Sequence, residues 1–132
     1  MFEKALTDIR VLREGGVSRT GGMGSLRKED VLLWANESAL SISDTFDEVG
    51  LGLARAYASG SLDWEFCDGF ANSLFGVWMH LEAENAFEFQ QPSQFWEVYL
   101  AFDYSEIVEP ENSSEVARNS INRFLSRVSS GS

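Results

Sequence analysis

The stretch from Ser61 to Glu82, which reads SLDWEFCDGFANSLFGVWMHLE, limits most strongly what this chain can fold into. When it is wound as an α-helix, at about 100° per residue, its apolar residues cover about half of the circumference. These residues are Trp64, Phe66, Cys67, Phe70, Ala71, Leu74, Val77, Trp78 and Leu81. An apolar face this wide needs neighbours on several sides, which is typical of the central helix of a bundle.

Other segments repeat apolar residues at helical spacing and predict further helices. They cover about residues 2–14, 25–34, 44–59, 93–107 and 114–128. Polar residues at their starts are predicted N-caps, namely Ser25, Ser43 or Asp44, Ser61 and Ser93. We therefore predict an all-α fold, an irregular bundle of five or six helices. The length of 132 residues predicts a single domain over 1–132.

Two places leave room for extended structure. Phe87 and Phe89 alternate with polar residues, so one short extended segment is allowed near residues 86–91. The run WEVYLAF, from Trp96 to Phe102, favours a helix by its spacing, but its residue types also suit a strand.

A glycine-rich stretch from Gly15 to Gly24 predicts a mobile loop, because it holds five glycines in ten positions. The spacing of Gly16 and Gly21 matches the start of a phosphate-binding loop. However, Gly22 and Met23 stand where that motif requires a lysine and a hydroxyl residue. Nucleotide binding is therefore not predicted.

The charge of the chain is distributed unevenly. The net charge is −11, and residues 31–112 hold fifteen Asp and Glu residues with Arg55 as their only base. The same residues hold fifteen of the seventeen aromatic side chains. Such a surface repels nucleic acid and anionic lipid and attracts a basic protein. With no signal peptide or membrane span visible, and Cys67 as the lone cysteine, we expect a cytoplasmic protein.

Catalytic and metal-binding patterns are weak. His80 and Glu84 have a spacing that metal ligands use, but His80 is the only histidine, so no metal or cofactor is expected. Cys67 lies on the apolar face of its helix and close to acidic residues, which disfavours a reactive thiolate. The sequence therefore does not predict an enzyme.

The polar side of the long helix is the candidate site. The strip of polar residues on this side is expected to face solvent. Together with carboxylates of the next helix it is expected to form a docking surface. The predicted partner-binding residues are Glu65, Asp68, Asn72, His80, Asp103 and Glu106. The predicted function is a small acidic binding protein that docks a basic protein. One concrete form is an immunity-type inhibitor of a bacterial toxin. The alternative is a homo-oligomer with a structural or regulatory role, for example a homodimer whose aromatic faces pair.

Overall fold

The structure is a computed structural model that describes residues 1–84 and 90–130. Six α-helices account for most of these residues, and the prediction of an all-α bundle is confirmed. The helices are α1 (Phe2–Arg13), α2 (Lys28–Ser38), α3 (Ile42–Ala58), α4 (Trp64–Glu84), α5 (Ser93–Val108) and α6 (Ser113–Ser130), with a 3₁₀ turn at Pro110–Asn112. None of the described helices has the length and hydropathy needed to cross a lipid bilayer.

The run from Trp96 to Phe102 is helical throughout, so the strand interpretation is wrong. Val98, Ala101 and Phe102 are buried and Leu100 is exposed, which matches helical spacing and not the alternation of a strand. An extended segment was expected near 86–91, and residues 86–89 of it lie outside the described residues. Gln90 and Gln91 have no regular structure.

The core lies between α3, α4 and α5, and large aromatic side chains fill it. Phe46 of α3 is fully buried and contacts Trp78 of α4 and Phe95 of α5, with 5.3 Å between ring centroids in both pairs. Gly50 allows the close approach of α3 to α5, because a Cβ atom there would lie 3.0 Å from the Cα of Phe95. The predicted apolar face of α4 is buried, apart from the half-buried side chains of Trp64 and Phe66.

The N-termini of α2 and α3 differ from the predicted ones by two or three residues. α2 begins after Arg27, whose backbone N–H donates to Oδ2 of Asp30 at 3.0 Å, so Ser25 is not its cap. α3 begins after Ser41, whose Oγ accepts the backbone N–H of Asp44 at 3.1 Å. In both helices the start is the place where a side-chain oxygen accepts a backbone N–H that no helical carbonyl can reach.

The caps of α4 and α5 also differ from the predicted Ser61 and Ser93. Asp63 caps α4, because its Oδ1 accepts the N–H of Phe66 at 2.8 Å. α5 is capped from another helix: Oδ1 of Asp47 on α3 accepts the N–H groups of Gln94 at 3.0 Å and Phe95 at 2.9 Å. A cap supplied by tertiary contact leaves no local sequence signal.

The glycine-rich loop between α1 and α2 is held more firmly than its composition predicts. Val17 and Met23 form an isolated β-bridge across it. Arg19 donates three hydrogen bonds to the carboxylate of Asp8, with distances of 2.8–3.2 Å, and one to Glu37 at 2.9 Å. The expectation of a mobile loop does not account for these contacts.

Asp8 is the buried centre of that attachment. It is 4% exposed, and its Oδ2 also accepts the indole N–H of Trp34 at 2.7 Å. Burial raises the pKa of Asp8, but the hydrogen bonds from Arg19 and Trp34 outweigh it, so the pKa falls below its ordinary value. One carboxylate thus links α1, the loop and α2.

Candidate functional site

α4 and α5 run in opposite directions, so the start of α4 lies beside the end of α5. The indole N–H of Trp64 donates to Oγ of Ser105 at 3.0 Å. Further along, the rings of Phe75 and Tyr99 stack with centroids 4.3 Å apart and an angle of 4° between their planes. These contacts bring together carboxylates that are about 40 residues apart in the sequence.

We call the carboxylates at this end of the pair the acidic end. They are Asp63, Glu65, Asp68, Asp103, Glu106, Glu109 and Glu111. In the described part of the chain, none of the seven forms an ion pair with a lysine, arginine or histidine. Glu37, Glu84 and Glu97, which lie elsewhere, are each paired with a base. The acidic end is therefore a region of uncompensated negative charge, although exposed carboxylates elsewhere in the described chain, such as Asp44 and Glu48, also have no ion pair.

Two arginines of α1 bound the acidic end on one side. The guanidinium carbons of Arg13 and Arg10 lie 4.9 and 5.8 Å from the ring centroid of Phe66 on α4. The guanidinium of Arg13 also covers Gly69, where a Cβ atom would lie 2.8 Å from its Nη1. Gly69 is thus used for a contact within the chain. This face of α4 contacts α1.

Asp68 is buried, so the expectation that it faces solvent is wrong. It is 8% exposed, because α5 packs against this flank of α4. Its Oδ1 is buried and accepts no hydrogen bond from an N–H or O–H group of the described residues. The neighbouring carboxyl of Glu106 can hydrogen-bond to it only when one of the two carries a proton.

The surroundings of Asp68 favour its protonated form. Burial, the hydrogen bond with Glu106, and the charges of Glu106 and Asp103 together raise the pKa of Asp68 to about 7. Burial and the same carboxylates raise the pKa of Tyr99. At neutral pH Asp68 is therefore partly protonated, unlike an ordinary aspartate.

Asn72 and His80 lie apart from the acidic end. With Gly76 they line a shallow pocket of about 530 Å³ between α4 and the start of α2. There Nε2 of His80 is 2.8 Å from Oε1 of Glu84, and Nζ of Lys28 is 2.8 Å from the same oxygen. The predicted strip is thus divided: Glu65 and Asp68 lie with Asp103 and Glu106, whereas Asn72 and His80 form a separate surface of mixed charge.

Three carboxylates of the acidic end were not among the predicted site residues. Asp63 precedes α4, and Glu109 and Glu111 follow α5. All three stand in the segments that join helices. The sequence did hold a signal for them, because all three belong to the acidic segment 31–112. A helical wheel of α4 does not include them.

The chemistry available at this site is electrostatic. Within the described ranges no group of three or more acidic, histidine or cysteine side chains is arranged to hold a metal ion. Cys67 is fully buried, and burial together with Asp63 and Asp68 raises the pKa of its thiol to about 12, which suppresses the nucleophilic thiolate. Comparisons with protein-family models, curated proteins and solved structures found no match for this chain.

Proposed function

We propose that this chain is a binding protein whose acidic end docks a basic protein partner. The observation that carries the proposal is the group of carboxylates at the acidic end that lack a basic partner within the described structure. Asp68 is buried, so the surface charge comes from the other six. Charges of one sign concentrated on one surface steer an oppositely charged protein and speed its association. Lysine and arginine side chains of the partner would supply the missing counter-charges.

One form of this function is inhibition of a bacterial toxin in the manner of an immunity protein. A nuclease toxin needs a basic active site to hold phosphate, and carboxylates such as Glu65 and Glu109 could occupy those phosphate positions. In this role the chain acts by binding, without catalysis, metal or cofactor.

Charge reversal at the acidic end tests the proposal. Partners captured from a lysate are identified, and their association rates are then measured with the purified wild type and with a Glu65→Lys, Glu109→Lys double variant. We expect association to slow by about tenfold or more at about 50 mM salt, and the difference to shrink at about 500 mM. Both residues are exposed, so the fold should tolerate the change.

A matched control separates the acidic end from the overall charge. Asp44 and Glu48 are exposed carboxylates on α3, near the opposite end of the bundle, where Asp47 meets the start of α5. An Asp44→Lys, Glu48→Lys variant changes the net charge equally and should alter the association rate by less than about twofold. Equal slowing by both variants, or unchanged rates in both, would contradict the proposal.

A homo-oligomeric role is the second candidate function. The observation that favours it is a row of exposed apolar side chains on α5.

A further inference from the structure

α5 exposes an apolar row beside α6. Of the eight large hydrophobic residues that are exposed in the described chain, four are on this helix. They are Leu100, Tyr104, Ile107 and Val108, exposed by 44%, 56%, 71% and 46%. Their spacing of four, three and one places them on one face of the helix. We call this row the α5 stripe.

The stripe borders an open groove between α5 and α6. The groove has a volume of about 610 Å³, and Ala101 and Phe124, both buried, lie along it. Four exposed apolar side chains next to a groove are unusual on a monomer, where exposed apolar residues are normally scattered. A surface of this kind is typical of an interaction site.

The charges on the two sides of the stripe have opposite sign. Asp103 lies on the α4 side, near Asp68. Arg123 and Arg127 lie on the α6 side. Arg127 pairs with Glu97 at 2.7 Å, whereas Arg123 only approaches Ser120 of its own helix, at 3.4 Å. The groove is thus nearly neutral, although the chain carries a net charge of −11.

This arrangement selects among the partners that could cover the stripe. A strongly basic protein would meet Arg123, which has no ion pair among the described residues and repels it. A second copy of the chain would repel the first over most of its acidic surface, but not here, where the charges balance. When a two-fold axis runs along the stripe, it places the acidic side of one copy opposite the basic side of the other. A stripe with one acidic and one basic flank is therefore self-complementary.

We propose that the α5 stripe and the α5–α6 groove form the interface of a symmetric dimer of this chain. Apolar contact between the two stripes supplies the affinity, and pairing of Asp103 with Arg123 of the second copy sets the parallel orientation of the two α5 helices. The inference does not depend on the docking of a basic protein at the acidic end. It assigns a function to apolar side chains that the acidic end leaves unexplained.

Sedimentation velocity on the full chain, from about 5 to about 500 µM, tests the interface. We expect the wild type to dimerise as concentration rises. Ile107→Glu places a charge at the centre of the stripe and should raise the dimer dissociation constant by about tenfold or more. Because Ile107 is 71% exposed, the helical circular dichroism should not change. Met79→Glu, at a residue of α4 that is 47% exposed, is the matched control and should dimerise like the wild type.

A charge exchange tests the orientation. Arg123→Glu alone should weaken the dimer, and adding Asp103→Arg should restore it, because the exchanged pair again has opposite signs across the interface. A wild type that stays monomeric at every concentration would overturn the inference. So would a dimer that Ile107→Glu leaves intact. If the chain is monomeric and Ile107→Glu instead abolishes capture of a basic protein, the stripe belongs to that partner and the dimer is refuted.

Discussion

Replacing Asp68 by asparagine is expected to stabilise the protein above neutral pH and to leave its stability unchanged in acid. Asp68 is buried, and the charged groups that raise its pKa are the carboxylates of Glu106 and Asp103 on α5. When Asp68 is ionised, a buried negative charge faces Glu106 and Asp103, and no lysine, arginine or histidine of the described residues pairs with it. The asparagine side chain carries no charge, and its amide N–H can donate to the carboxylate of Glu106.

The magnitude follows from the raised pKa of Asp68. The pKa is about 7 in the folded protein and 3.8 ordinarily. At about 1.4 kcal/mol per pKa unit, this rise sets an upper limit of about 4 kcal/mol. Solvent screening at the edge of the α4–α5 contact, and sharing of the charge with Glu106, reduce the expected effect to about 2 kcal/mol.

The sign of the pH dependence follows from the direction of the same shift. Because the folded state binds this proton more tightly than the unfolded chain, its ionisation destabilises the fold as the pH rises from 3.8 to about 7. Below that window both states are protonated, and above it the cost is complete. The advantage of Asp68→Asn should therefore be near zero at about pH 4 and should reach about 2 kcal/mol by about pH 8.

Urea unfolding followed by tryptophan fluorescence, at several pH values between about 4 and 8, measures this difference. Glu65→Gln is the matched control, because it removes a carboxylate from the same helix at an exposed position. The control should change stability by less than about 0.5 kcal/mol at every pH. An advantage of Asp68→Asn that is equal at both ends of the pH range, or a loss of stability at pH 8, would refute the reasoning.

Two further predictions concern carboxylates that join distant elements. Asp47→Ala removes the acceptor for two N–H groups at the start of α5 and should lower the free energy of unfolding by about 1–2 kcal/mol, whereas Asp47→Asn should retain most of it. Urea unfolding of both variants checks this, and equal losses would contradict the capping role. Asp8→Ala leaves the buried indole N–H of Trp34 without its acceptor and Arg19 without its main partner, and should cost about 3 kcal/mol at pH 7. Because the pKa of Asp8 is lowered in the fold, this cost should shrink as the pH falls below 3.8, and a cost independent of pH would argue against the ion pair.

The sequence predicts the helices of this protein well because their apolar residues recur at helical spacing. Phe46, Val49, Leu53 and Tyr57 of α3 are all buried, as the spacing indicates. The helix starts are less predictable, since several polar residues near each start could act as caps. At α5 the cap is Asp47, which belongs to another helix, and no local pattern can reveal it.

The candidate site could be predicted only in part, and Asp68 shows why. A helical wheel orders the residues of α4 around its own axis, but it does not say how far the neighbouring helices extend around that axis. α5 covers the flank that holds Asp68, whereas Asn72 and His80 face the start of α2. The acidic composition directs attention to Asp103 and Glu106, but their position beside Asp68 of α4 depends on the antiparallel packing of two helices.

The capping of α5 by Asp47 limits how this molecule can be divided into fragments. α5 carries the apolar stripe and several carboxylates of the acidic end, yet the group that closes its first turn lies 47 residues before Gln94 in the chain. A peptide containing only α4 and α5 would lack that group and would begin to fray at the start of α5. The smallest fragment that keeps both the acidic end and the α5 stripe therefore extends back at least to Ser41, the N-cap residue of α3.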